Sequence, residues 1–354
     1  MRLKHLVALL LALVVNVAGA SAMSLASGLP FVGVLGGGAV LSLFGGVASG
    51  SLNMAIQKEI WMSTIVEGLF ADNSFLSKAI NADEFVIQGK VVHIPNAGAP
   101  SNTKKNRTEL PASVTKRTDK DLIFNLDEFT SDPVLIPNAD TVELSYNKRE
   151  SVVRQDRSKL HEDVANGMLY SWSPAKAHTI ETSGDEIDAH TISATGKRKA
   201  FTKADVNSAM KRFNRDDVPQ EGRYLLIDAD MYSQLLDSMT EKEADAFHNL
   251  ADLKNGVIGK LYSFNVIMRS KALRYTGATV AKEWETAGAA TDCAAALAWH
   301  QDSVCRALGE VVAFENEGDP TFYGDVYSFL LRAGGRPMRE DMKGILGIVQ
   351  ATVA

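Results

Sequence analysis

Residues 145–172 read SYNKRESVVRQDRSKLHEDVANGMLYSW, and the fold turns on how that stretch is read. Val153, Leu160, Val164, Met168 and Trp172 recur at steps of seven and then four residues, which places them on one stripe of an α-helix. The other faces carry Lys148, Arg149, Glu150, Arg154, Asp156, Arg157, Lys159, Glu162 and Asp163. Taken from Ser145 to Trp172, the helix would span about 40 Å at ~1.5 Å per residue. That is long for a globular chain, and Pro174 closes it.

Upstream, Phe85, Ile87, Val91, Val92 and Ile94 mark a strand pair or a strand entering a hairpin, stopped by Pro95. Residues 96–120 are polar, broken by Gly98, Pro100 and Pro111, and can bury little surface. Leu122 to Phe129 is a returning strand. The whole is a protruding hairpin with a basic tip: Lys104, Lys105, Arg107, Lys116, Arg117 and Lys120 against Glu109 and Asp119. It is either a solvated loop or an arm lying on a neighbouring acidic subunit; a long structureless segment in a compact domain usually carries function. Residues 56–70 form an amphipathic helix through Ile56, Ile60, Ile65 and Leu69.

Downstream, Pro133 and Pro137 punctuate a turn, and 175–200 is a polar loop or weak hairpin. Thr202 with Asp205 caps a helix ending near Asn214. Arg223 to Asp228 is a buried strand, and Asp230 to Ser238 a short helix. Residues 257–269 hold a strand pair, alanines dominate 287–298, and 303–314, 322–333 and 344–349 are strands. The class is mixed α+β.

The 354 residues suffice for two or three modest domains, and the net charge of -6 gives no basic nucleic-acid footprint. Two cysteines, Cys293 and Cys305, are too few for a disulfide-stapled fold and are expected as free core thiols. Residues 5–57 contain no Asp, Glu, Lys or Arg. Arg2 and Lys4, an apolar run from Leu6 to Val17 and Ala18-Gly19-Ala20-Ser21-Ala22 have the pattern of a secretory signal. Three readings stand: an exported leader, a removable propeptide, or a start at Met54, where the composition changes abruptly.

The sequence offers no phosphate loop, no His-Glu-x-x-His and no Gly-x-Ser-x-Gly. Asp228 and Asp230 follow an apolar strand and could hold a divalent cation, but the ordinary reading has Asp230 capping the next helix. No catalytic, cofactor-binding or metal residue is assigned. Trp61, Trp172, Trp284 and Trp299 are expected as core or interface anchors.

Several stretches in one order carry a resemblance: Ile60 to Phe70 with Asn73 to Leu76, Val91 to Pro95, Glu143 to Val152, Val218 to Tyr224, and Tyr323 to Ser328. From Met54 onward the chain resembles tailed-bacteriophage major capsid proteins of the Hong Kong 97-type fold. The apolar leader (1–53) is where the chain departs from that pattern; the resemblance implies an N-terminal arm and helix (54–85) and an extended hairpin loop (86–130). A peripheral domain on the long helix (131–174), an axial domain (175–300) and C-terminal strands returning to the peripheral domain (301–354) would follow. It implies a non-enzymatic subunit assembling with itself into hexamers and pentamers of a virion shell in the bacterial cytoplasm. Scaffold, portal and protease are possible partners; DNA is enclosed without sequence-specific binding, and the mature form has no membrane association. Lys104, Lys105, Arg107, Lys116 and Arg117 are expected to meet acids of a neighbour's long helix: Glu150, Asp156, Glu162 or Asp163. The alternatives are a cellular nanocompartment shell, an exported envelope protein and a metal-dependent enzyme using Asp228 and Asp230.

Overall fold

The computed structural model describes residues 69, 73–96, 103, 105–108, 111, 114, 120–137, 148–252, 255–277 and 279–353. The apolar leader, most of the helix at 56–70 and much of the basic tip therefore lie outside the described residues.

In chain order the elements are β1 (Ile80–Asn81), β2 (Val86–Ile87), β3 (Val91–Asn96), β4 (Lys120–Asn125), β5 (Asp127–Thr130), β6 (Val134–Pro137) and helix α1 (Lys148–Ser171). Then come β7 (Thr179–Glu181), β8 (Glu186–Asp188), β9 (Lys197–Lys199), α2 (Lys203–Arg215), β10 (Arg223–Ile227), α3 (Ala229–Asp237) and α4 (Glu241–His248). The rest are β11 (Val257–Leu261), β12 (Phe264–Met268), β13 (Leu273–Thr276), β14 (Val280–Lys282), β15 (Asp292–His300), β16 (Val304–Asp319), β17 (Gly324–Pro337) and β18 (Ile345–Val349).

Two main sheets organise them. One runs β1-β16-β17-β5, with β6 also on β17; the other runs β11-β12-β10-β15-β13-β14, with β18 bridging β15 to β7. The hairpin forms as read, with β3 and β4 antiparallel from Val91↔Asn125 to Asn96↔Lys120. Pro95 does not stop it. β2 covers β3 only at Val91 and Val92, so beyond them that edge has no ladder and a missing N–H costs nothing there. Pro137 likewise ends strand β6, opposite Gly324, rather than a turn. The returning strand breaks at Leu126: β4 stays in the hairpin, while β5 joins β17.

The stripe on α1 is buried at Leu160, Val164, Met168 and Trp172; the side chain of Val153 lies outside the described residues. Gly167 on the same helix lets it settle on β5, since a Cβ there would meet the Phe129 ring at 2.6 Å. Trp172 ends the stripe. Its Nε1 donates to the Cys305 carbonyl at 2.9 Å, and its ring lies 5.9 Å from those of both Phe75 and Trp299. Trp299 in turn stacks on Tyr224 and donates to the Lys78 carbonyl.

β15 is buried along its whole length. Its alternate residues Ala294, Ala296 and Ala298 face a core built from Phe201, Phe213, Met231, Leu235 and Phe264. Small side chains leave room for those large ones. Both cysteines are free and buried, as expected. The segment 175–200 is more ordered than a loop: it supplies β7, β8 and β9. The capping box of Thr202 and Asp205 is present. The cap of α3 differs from expectation: Asp228, not Asp230, accepts from Met231 N at 2.7 Å, because the helix already begins at Ala229. Helix α4 was unanticipated, although Thr240 and Glu243 form a second capping box. The last strand also departs from expectation, since β18 pairs with β15 and β7 instead of returning with β16 and β17.

Asp292 is fully buried, with Lys282 at 2.8 Å, Arg274 at 3.8 Å and the Ala289 amide at 3.0 Å. Burial pushes its carboxyl up, but the Lys282 ammonium, the amide and Arg274 outweigh that and hold it below its usual range. A depressed carboxyl stabilises the fold above its unfolded pKa of about 3.9, and that contribution fades as pH falls below it. Asp292→Asn should cost about 3–5 kcal/mol at neutral pH, because Lys282 is left buried without its charge partner. It should also lose less stability than wild type between neutral pH and about pH 3; urea unfolding at both conditions checks this. Trp172→Ala should cost about 3–5 kcal/mol in the same measurement.

Candidate assembly surfaces

Four surfaces bear on contact with another molecule: the basic loop, the acids of α1, the exposed face of the β2–β4 ladder and the far end of β16–β17. In the loop, Lys105 and Arg107 are exposed, while Lys104, Lys116 and Arg117 lie outside the described residues. Val114 projects almost wholly into solvent. On the hairpin below it, Ile87, Ile123 and Phe85 are exposed apolar side chains.

The acids expected to receive those cations divide. Glu150 lies on α1, its side chain outside the described residues. Asp156 is partly exposed, and burial pushes its carboxyl up. Glu162 accepts from Lys271 at 2.6 Å, and that hydrogen bond holds its carboxyl below the usual range. Asp163 accepts from Lys159 at 2.8 Å. Arg269 adds bonds to Asn166 Oδ1 and the Glu162 carbonyl, so this part of α1 is fastened to the larger sheet. Glu162 and Asp163 thus already have partners within the subunit.

The sequence reading missed the fourth surface. The far end of β16–β17 leaves Phe314 52%, Phe322 55% and Tyr323 80% exposed, with Leu135 of β6 at the same end. The turn carrying them is built by carboxylates. Asp319 accepts from Thr321 N at 2.7 Å and Asn316 Nδ2 at 2.8 Å, and Asp325 accepts from Gly318 N at 2.8 Å. At the near end, Arg332 pairs with Glu128 and with Glu310, tying β5, β17 and β16 together. Large apolar side chains held exposed at the end of a braced strand pair make this end a candidate interaction site. The legible signal was Phe322-Tyr323 following Asp319-Pro320-Thr321.

No helix among the described residues is long and apolar enough to cross a membrane. Residues 86–320 match the family model described as phage capsid protein. The chain belongs to this family. This capsid subunit is a shell-forming structural protein with the Hong Kong 97-type fold, as the ordered motifs implied. Solved structures agree on the fold. A chain of Mycobacterium phage Che8 is 19% identical, with 77% of this chain and 90% of that chain covered, at a TM-score of 0.50. A capsid chain of cyanophage P-SCSP1u is 15% identical, covering 78% and 87%, at 0.53. A virus-like particle from Pyrococcus furiosus is 11% identical, covering 82% and 99%, at 0.51. No curated protein matches the sequence.

Phe322→Ser combined with Tyr323→Ser should leave the subunit's own stability within about 0.5 kcal/mol, since both side chains are largely in solvent. Assembly should fall sharply, read as the fraction sedimenting as particles.

Proposed function

We propose that this subunit forms the icosahedral head of a tailed phage or prophage, as hexamers and pentamers of one chain, and that the shell encloses DNA. The observation that carries this reading is the far end of β16–β17: a solitary molecule gains nothing from bracing Phe322 and Tyr323 in water, whereas a repeated contact does. On this reading the five-stranded sheet and α1 make the peripheral domain, and the eight-stranded sheet with α2 to α4 makes the axial domain. The hairpin at 86–130 is the extended loop, reaching a neighbour through Lys104, Lys105, Arg107, Lys116 and Arg117. Asp156 and Glu150 remain its candidate acids on α1, and the acidic turn at Asp319 and Asp325 is a further one.

The subunit carries out no reaction in this role. Net charge -6 fits an inner wall that does not hold DNA tightly. Scaffold, portal and protease proteins are the partners such a shell calls for, and assembly takes place in the bacterial cytoplasm. A compartment shell of the same fold is the second reading, compatible with the fold likeness to a virus-like particle from Pyrococcus furiosus.

Removing residues 97–119 should leave a folded subunit, because β3 and β4 can be joined at Asn96 and Lys120 by a short turn. That variant should fail to form shells under electron microscopy, where the full chain gives uniform particles. Uniform particles from the variant would rule out the arm. Nuclease-protected DNA inside particles separates a phage head from a cargo compartment.

A further inference from the structure

The eight-stranded sheet carries a cluster that shell formation leaves unexplained. His190 sits in the turn between β8 and β9, which brings it to the end of β10 where α3 begins. Its Nε2 lies 3.1 Å from Asp228 Oδ2. Asp230, the second residue of α3, completes a group whose ligand atoms lie within 4.8 Å of one another. The group opens on a cavity of about 570 Å³.

Three features separate this cluster from an ordinary ion pair. First, Asp228 is oriented in advance: Oδ1 is engaged by Met231 N, which leaves Oδ2 turned toward His190. Second, the imidazole is positioned at Nε2 alone, since its Nδ1 is buried and has no hydrogen-bond partner among the described residues. Third, the cations lining the same cavity are committed elsewhere. Lys159 pairs with Asp163, Lys271 with Glu162, and Lys282 and Arg274 with Asp292. Two carboxylates therefore face one imidazole with no fixed cation of their own among the described residues. The positive end of α3 supplies only about half a charge against them.

We propose that His190, Asp228 and Asp230 bind a divalent transition-metal cation, of the zinc or manganese class. Imidazole with two carboxylates suits those ions better than magnesium or calcium, which prefer oxygen alone. Metal–ligand bonds of about 2.0–2.2 Å place neighbouring ligand atoms about 3.0–3.5 Å apart, which the His190–Asp228 pair already satisfies. Asp230 is exposed and can rotate the remaining distance. The remaining coordination positions face the cavity and take water. The ion adds a tie from the β8–β9 turn to the end of β10 and the start of α3, beside the bonds the ribbon already makes to Ala351, Ala290 and Asp292.

The test uses the untagged full chain, stripped with chelator and titrated with Co²⁺ and Zn²⁺. The expected result is one equivalent per subunit, with Co²⁺ giving visible ligand-field bands. His190→Ala and Asp230→Asn should each weaken binding at least about tenfold, the lower bound of the loss on removing an outer-shell partner. Both positions are outside the apolar core, and circular dichroism checks that each variant is folded. Asp228→Asn, which retains a capping side chain, should weaken binding as well. Absence of stoichiometric binding, or unchanged affinity in His190→Ala and Asp230→Asn, overturns the site. Binding is read on subunits whether or not they assemble, so the outcome is independent of the shell reading.

Discussion

The Trp172 ring is the contact on which the rest of the subunit depends. It closes the buried stripe of α1, bonds the Cys305 carbonyl on β16 and packs against Trp299 on β15 and Phe75 of the N-terminal segment. Helix, both large sheets and the segment just before β1 thus meet on one side chain. The backbone must come close for this to happen: a Cβ on Gly335 of β17 would lie 2.5 Å from Trp172 Nε1. Interiors packed at this density do not slide, so the position of each sheet fixes that of the other.

That rigid centre decides where assembly contacts can be. The part of α1 nearest the larger sheet spends its charges on the subunit itself, through Glu162 to Lys271 and Asn166 to Arg269. Surface pairs of this kind contribute little energy, on the order of 0–1 kcal/mol each, yet they occupy the acids that a neighbour's lysines would seek. What stays open is at the extremities: the basic loop beyond β3 and β4, and the aromatic end of β16–β17. A stiff body with reactive ends is the architecture that a shell of identical pieces requires.

Much of this was legible in the sequence because periodicity is a local property. The stripe from Leu160 to Trp172, the alternation around Val91 and the Thr202–Asp205 box each follow from neighbours a few residues away. The failures share the opposite cause. β15 is an alanine-rich strand of low intrinsic preference, chosen because Phe213, Met231 and Phe264 arrive from elsewhere and need space. Pro95 is tolerated because β2 happens to be too short to reach it. β18 leaves β17 for β15, a choice between two sheets that five apolar residues cannot announce. At the candidate site, the carboxylates of Asp228 and Asp230 were visible, but His190 lies 38 residues from Asp228 and only the fold brings them together. The commitment of Glu162 and Asp163 inside the subunit was equally invisible, since Lys271 lies 109 residues from Glu162.

The energetics explain why one exposed end would not suffice. An aromatic side chain buries about 150–250 Å², worth about 4–6 kcal/mol at ~25 cal/mol per Å² if wholly exposed beforehand. Phe322 and Tyr323 are only partly exposed, so together they offer several kcal/mol on docking. Bringing two subunits together costs about 4–15 kcal/mol in lost freedom. One such contact therefore sits near balance, and a stray pair of subunits separates again. A second contact on the same neighbour, which we propose the basic loop supplies, meets no further cost of that kind, because the partner is already held. Closure of a symmetric ring repeats the gain at every joint. Weak ends on a stiff body thus permit errors to dissolve during assembly while the completed shell persists.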